Sequence, residues 1–110
     1  MVKGPHPKRF VVYLVNLDPT IGAEVQKTRP CVIISPDSMN QGLKTVLIAP
    51  MTTTMKKWPF RVPVTHKKTK GQVMLDQIRV VSKKRLHKAD GTVSAKVKTG
   101  ILECLKDMFG

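Results

Sequence analysis

Acidic side chains are scarce in this chain: Asp and Glu number 7 against 20 Lys and Arg, a formal net charge of +13 over 110 residues. So large an excess on one small domain points to a polyanionic partner, nucleic acid first, with an acidic protein or a membrane surface next. Cysteine is nearly absent, and Cys31 and Cys104 have no metal-ligand spacing. A zinc site or a disulfide framework is therefore excluded, and both read as small core residues in a reducing compartment. No apolar run approaches the length that crosses a membrane, and the apolar stretch after the basic start MVKGPHPKRF is too short for a secretion signal, so a cytoplasmic protein is expected. There is no Gly-rich phosphate loop ahead of a helix. The three histidines, His6, His66 and His87, lie in an arm and two basic polar stretches with no metal-ligand spacing.

What is present reads as one domain, residues 1–110, with residues 1–8 a flexible or extended arm. Phe10–Leu17, FVVYLVNL, is apolar and β-branched enough for a central strand covered on both faces, ending at the turn signal Asp18-Pro19. Cys31-Val32-Ile33-Ile34 is a second buried strand. Pro36-Asp37-Ser38 can start a short helical turn that Asn40-Gln41-Gly42 releases. Thr45–Ala49 is a third strand, stopped by Pro50. Phe60, Val62 and Val64 alternate with Arg61 and Pro63, giving a half-exposed strand at an edge. Gly71–Leu75 and Ile78–Val81 form further strand, with Asp76 and Arg79 able to pair with each other. Lys83, Lys84, Arg85 and Lys88 make a second basic cluster. Ser94–Phe109 has helical spacing at Val97, Ile101, Leu102, Leu105, Met108 and Phe109, with Ser94 as N-cap. Several short strands and one C-terminal helix predict an α+β, mainly β domain: a small, strongly bent antiparallel sheet or half-open barrel with the helix packed on it.

The polar loop from Thr20 into Pro30 carries Glu24, Gln26, Lys27, Thr28 and Arg29 at the mouth of the second strand. A second polar run, Thr52-Thr53-Thr54, follows Pro50. From Lys56 to Lys70 the chain holds Lys56, Lys57, Arg61, Lys67, Lys68 and Lys70 without one acid, a credible surface for tracking phosphates. Trp58 sits among these cations, where it either stacks on an unpaired base or caps the core. RNA brings its own nucleophile, the 2′-OH. A protein therefore needs only to align the strand, move protons and stabilise the phosphorane. Arg29 can neutralise phosphate oxygens, a loop Thr can donate to them, and Glu24 is the one acid of its loop able to accept the 2′-OH proton.

The series Leu17-Asp18-Pro19-Thr20, Gly22-Ala23-Glu24, Arg29-Pro30-Cys31-Val32-Ile33-Ile34-Ser35, then Ala49-Pro50-Met51-Thr52-Thr53, then Gly71-Gln72-Val73-Met74-Leu75-Asp76-Gln77-Ile78-Arg79 resembles the MazF/PemK/Kid family of bacterial toxin endoribonucleases. The resemblance implies the SH3-like half-open barrel of the CcdB/PemK-like toxins and a homodimer. It implies metal-independent, cofactor-free, sequence-specific cleavage of single-stranded mRNA to 2′,3′-cyclic phosphate and 5′-hydroxyl ends, which inhibits translation and growth. It implies a cognate antitoxin of the MazE/PemI kind with an acidic C-terminal segment. The catalytic set then falls on Arg29, Thr52 and Glu24. RNA contacts are expected from Gln26, Lys27, Thr28, Thr53, Lys56, Lys57, Trp58, Arg61, Asp76, Gln77 and Arg79. The family's usual Trp in the first strand is replaced here, with Tyr13 in that region. Two other readings share the charge or the fold. A CcdB-like gyrase poison lacks the Arg-Pro and Pro-x-Thr motifs and ends in a Trp-containing tail, whereas this chain ends Met108-Phe109-Gly110. A non-catalytic RNA-binding module explains the charge but not the grouping of Glu24, Arg29 and Thr52.

Overall fold

Short apolar and β-branched segments form most of the seven strands in the computed structural model, which describes residues 6–17 and 28–110. The expectations for Glu24, Gln26 and Lys27 lie outside the described residues. In chain order the elements are β1 (Val11–Asn16), β2 (Thr28–Ile33), α1 (Asp37–Gly42), β3 (Thr45–Thr52), β4 (Arg61–His66), β5 (Thr69–Met74), β6 (Arg79–Ser82), β7 (Leu86–Thr92) and α2 (Ala95–Phe109). Spatially the strands run β4-β5-β3-β2-β1-β7, with β6 also on β3, and every pairing is antiparallel.

Strand β3 is the pivot. Cys31, Val32 and Ile33 of β2 pair with its Pro50, Ala49 and Ile48 along one edge. Its other edge changes partner, from β6 at Thr45–Ile48 to β5 at Met51 and Thr52. The sequence places the end of this strand at Pro50, but the strand continues through it. Pro50 lies where the outer ladder switches partners, the kind of break at which a residue without an N–H is tolerated. Thr52 is consequently the last residue of a strand and not part of a loose loop.

Successive residues of β2 feed opposite faces of the sheet. Val32 and Ile34 join Val12, Ala49, Met51, Val73, Leu75, Val97 and Ile101 in one cluster, while Cys31 and Ile33 join Val15, Leu17, Val46, Ile48 and Val81 in another. Helix α2 covers the first. Ser94 caps it by accepting from the Val97 N–H at 3.3 Å, and Val97, Ile101 and Cys104 are its buried residues. The mid-helix Gly100 allows close packing, because a Cβ there would stand 3.0 Å from Val62 Cγ1.

Two other features depart from the sequence reading. Phe10 is not a strand residue; its φ is +73°, held by hydrogen bonds from its N–H to Ile33 O (2.7 Å) and from Val93 N–H to its carbonyl (3.1 Å). Strand β7 was legible only as basic residues, since LHKADGT has no alternating apolar face; it forms because β1 offers it a backbone ladder, with register shifts along the way. The short helix α1 is anchored by Asn40, fully buried, whose amide donates to Ser35 O at 2.9 Å and whose Oδ1 accepts from the Ser35 hydroxyl. Ser35 Oγ also accepts from Leu47 N–H at 3.0 Å, which fixes α1 to β3.

Candidate active site

Arg29 and Thr52 are brought together because β2 and β3 are neighbours whose functional ends lie at the same side of the sheet. Arg29 is the second residue of β2, opposite Val15 of β1, so its backbone is fixed by a ladder. An Arg29 guanidinium N–H donates to the carbonyl of Met51 at 3.5 Å, immediately before Thr52. Thr52 Oγ1 accepts from the Thr54 N–H at 3.1 Å. A hydroxyl has one proton and two lone pairs, so this acceptor role leaves the Thr52 O–H for donation to a ligand.

Both residues line a pocket of about 340 Å³ whose wall is completed by Pro30, Met51, Thr53, Val64, His66, Lys67, Thr69, Lys70 and Gly71. Among the described residues no carboxylate lines the pocket, and Arg29, Lys67 and Lys70 make this described wall cationic and suited to an anion. The neighbouring Cys31 takes no part: burial pushes its thiol up to about 12 against the opposing pull of Arg29 and Arg79, so the reactive thiolate is not formed. Among the described residues no three His, Cys, Asp or Glu side chains group to hold a metal.

Gly71 sets the spacing of the pocket floor. A methyl group there would collide with the Thr52 carbonyl oxygen, so β5 can close on the end of β3 only with glycine at this position. Gly71→Ala is expected to push these strands apart, costing about 1–3 kcal/mol. Denaturant unfolding would show this, and unchanged stability would remove Gly71 from this role. Next along β5, the buried Gln72 clamps the loop that follows β3: its Oε1 accepts from Lys56 N–H at 3.0 Å and its Nε2 donates to Lys56 O at 2.7 Å. The motif contains both residues, but the backbone atoms they serve are remote in sequence and left no signal there.

Thr53 lines the pocket, and Thr28 is exposed at the start of β2. Lys56, Trp58, Arg61 and Asp76, also expected to contact RNA, form a cluster outside the pocket lining. Trp58 is 43% exposed and does not cap the core; it tilts against Phe60 with ring centroids 5.4 Å apart. The Arg61 guanidinium lies 4.6 Å and the Lys56 ammonium 5.5 Å from its ring. Lys57 is exposed beside it. Asp76 pairs with Arg61, not with Arg79: Nε to Oδ1 is 2.6 Å and Nη2 to Oδ2 is 3.1 Å, a bidentate fork that the intervening turn at Leu75–Gln77 makes possible. Gln77 sits on that same turn, and Arg79 donates to Leu17 O at 3.4 Å.

Asp90, beside the pocket, escaped the sequence reading. His66 Nε2 lies 3.0 Å from Asp90 Oδ2, and Lys67 forms an ion pair with the same carboxylate. Hydrogen bonds from Lys67 first and His66 second hold the Asp90 carboxyl below its ordinary value of 3.8, so it is ionised at neutral pH. Asp90 was invisible as a partner because β7 was not read as a strand.

With this geometry established, comparison with known proteins is specific. The family model described as "PemK-like, MazF-like toxin of type II toxin-antitoxin system" matches residues 8–109. A protein named Endoribonuclease MazF from Staphylococcus epidermidis is 39% identical over 85 residues, covering 72% of this chain and 71% of its own. Among solved structures, MazF from Deinococcus radiodurans superposes with a TM-score of 0.84 at 24% identity, covering 97% of this chain and 99% of that one. An endoribonuclease in complex with its cognate antitoxin from a mycobacterial species gives 0.72 at 25% identity, covering 91% and 95%.

Proposed function

Because this chain belongs to the PemK-like, MazF-like toxins of type II toxin–antitoxin systems and is an endoribonuclease of that family, we propose that it cuts single-stranded mRNA without a metal ion. The observation that carries this reading is the joint placement of Arg29 and Thr52 in one electropositive pocket, each on a strand end. In the reaction, the 2′-oxygen forms a bond to the adjacent phosphorus as its proton is lost. The bond from phosphorus to the 5′-oxygen then breaks, and that oxygen gains a proton. The products are a 2′,3′-cyclic phosphate and a 5′-hydroxyl.

Arg29 neutralises the charge that builds on the non-bridging oxygens, and the Thr52 O–H donates to the same oxygens. Glu24 is the residue we assign to accept the 2′-OH proton. Gln26, Lys27, Thr28 and Thr53 border the reacting phosphate, while Lys56, Lys57, Trp58 and Arg61 guide the strand beyond it, with Asp76, Gln77 and Arg79 near its path. Trp58 is half-exposed with the Lys56 and Arg61 cations over its ring, so a base stacks on it by taking the place of one of them. The same basic rim suits an acidic antitoxin segment, so antitoxin and RNA should exclude each other on a homodimer. We place its action in the cytoplasm; among the described residues no helix is long and apolar enough to cross a membrane.

Incubation with a long single-stranded RNA in EDTA, followed by mapping of both ends, tests the reading. Cleavage at a short recurring sequence with cyclic-phosphate ends is expected, and duplex RNA should resist because pairing holds its backbone away from in-line geometry. Activity lost in EDTA and restored only by a divalent ion would overturn the metal-free mechanism.

A further inference from the structure

Strands β4 and β5 are joined by a two-residue turn in which both central residues, Lys67 (φ +50°) and Lys68 (φ +66°), are left-handed, with His66 paired to Thr69 across it. Such a turn normally uses Asn-Gly or Asp-Gly, so two lysines there oppose local preference. Asp90 of β7 reaches across to tie this hairpin down through His66 and Lys67. The carboxylate can only accept, which places a proton on Nε2 of His66 and leaves Nδ1 as the ring nitrogen for a ligand. His66 lines the same pocket as Arg29 and Thr52, with Lys67, Thr69 and Lys70 around it.

The sheet register says how far His66 stands from the reacting phosphate. Thr52 is opposite Gln72 on β5, and His66 is opposite Thr69, on the far side of β5. Three residues along a strand and two inter-strand spacings separate the Thr52 and His66 Cα atoms by about 14 Å in a flat sheet. Side chains set that far apart along one pocket meet different phosphates of a bound strand.

We propose that His66, braced by Asp90 and joined by Lys70, binds the backbone phosphate next to the scissile one, a subsite that fixes the strand in register for cleavage. This rests on the endoribonuclease reading above. The ring then holds Asp90 through Nε2 and meets the phosphate through its Nδ1 edge. The charged groups facing it are Asp90 from β7, Lys67 and Lys70 from the hairpin, and Arg29 from β2 across the pocket. His66 is a positioning residue for the reaction and not its proton carrier.

The test uses synthetic oligoribonucleotides bearing the mapped cleavage sequence, each with one flanking phosphate replaced by an uncharged methylphosphonate. In the wild-type protein, neutralising one particular flanking phosphate should lower kcat/KM at least about tenfold, the size of one lost charge-assisted hydrogen bond. In His66→Gln the same replacement should cause less than a further twofold loss, as in any double-mutant cycle on a broken contact. Lys70→Gln, at an exposed position, should blunt the same phosphate's effect and provides the readout if His66→Gln does not fold. A full loss retained in both variants, or a flat scan in the wild type, would overturn the subsite while leaving the nuclease reading intact. No cleavage of the unmodified oligonucleotide by wild type would overturn the nuclease reading itself.

Discussion

Arg29→Ala is expected to slow RNA cleavage by at least about a hundredfold, the cost of removing a preorganised donor from developing oxyanion charge. The guanidinium is held by a strand ladder and by the Met51 carbonyl, so it meets the phosphate without reorganising. Thr52→Ala should also impair turnover, yet leave RNA affinity nearly unchanged, because the hydroxyl contributes most where charge accumulates in the transition state. Single-turnover rates and equilibrium binding to an uncleavable 2′-deoxy substrate separate the two effects. Both variants folding normally and cutting at near wild-type rates would show the site to be elsewhere.

The largest expected stability effect belongs to Ile101. It is fully buried on α2 against Val62, Val73 and Leu75, part of the cluster by which the helix covers the sheet. Ile101→Ala should cost about 2–5 kcal/mol, a large part of the roughly 5–15 kcal/mol that holds a domain of this size together. Thermal melting should fall by about 10 °C or more, at 4–8 °C per kcal/mol. A shift of a degree or two would mean that the helix contributes little to folding. The exposed Leu102 on the next helical position should tolerate alanine, which controls for helix propensity.

These two residues illustrate what was legible in the sequence. Ile101 announced itself through helical spacing, and Arg29 through a guanidinium placed just before an apolar strand. The cores of β1, β2 and β3 were equally plain, because burial writes its own alternation. Asp76 was less so: its choice between Arg61 and Arg79 depends on the turn geometry at Leu75–Gln77, which spacing does not encode. The course of β3 through Pro50 was hidden because proline signals an end unless the partner strands are known. Strand β7, and with it Asp90, was hidden for the opposite reason. A polar edge strand is stabilised by its neighbour's backbone and leaves no apolar pattern of its own.

The left-handed lysines of the β4–β5 hairpin have a consequence for any attempt to harden this protein against heat. Each is held in a conformation that disfavours an L-residue by about 1–2 kcal/mol, so replacing Lys67-Lys68 with Asn-Gly is the obvious stabilising change. It would also release Asp90 from one of its two partners and strip a cation from the pocket rim. A library selected for thermal resistance alone would therefore drift toward this exchange and yield well-folded, poorly toxic proteins, whereas selection for growth arrest would keep the awkward lysines.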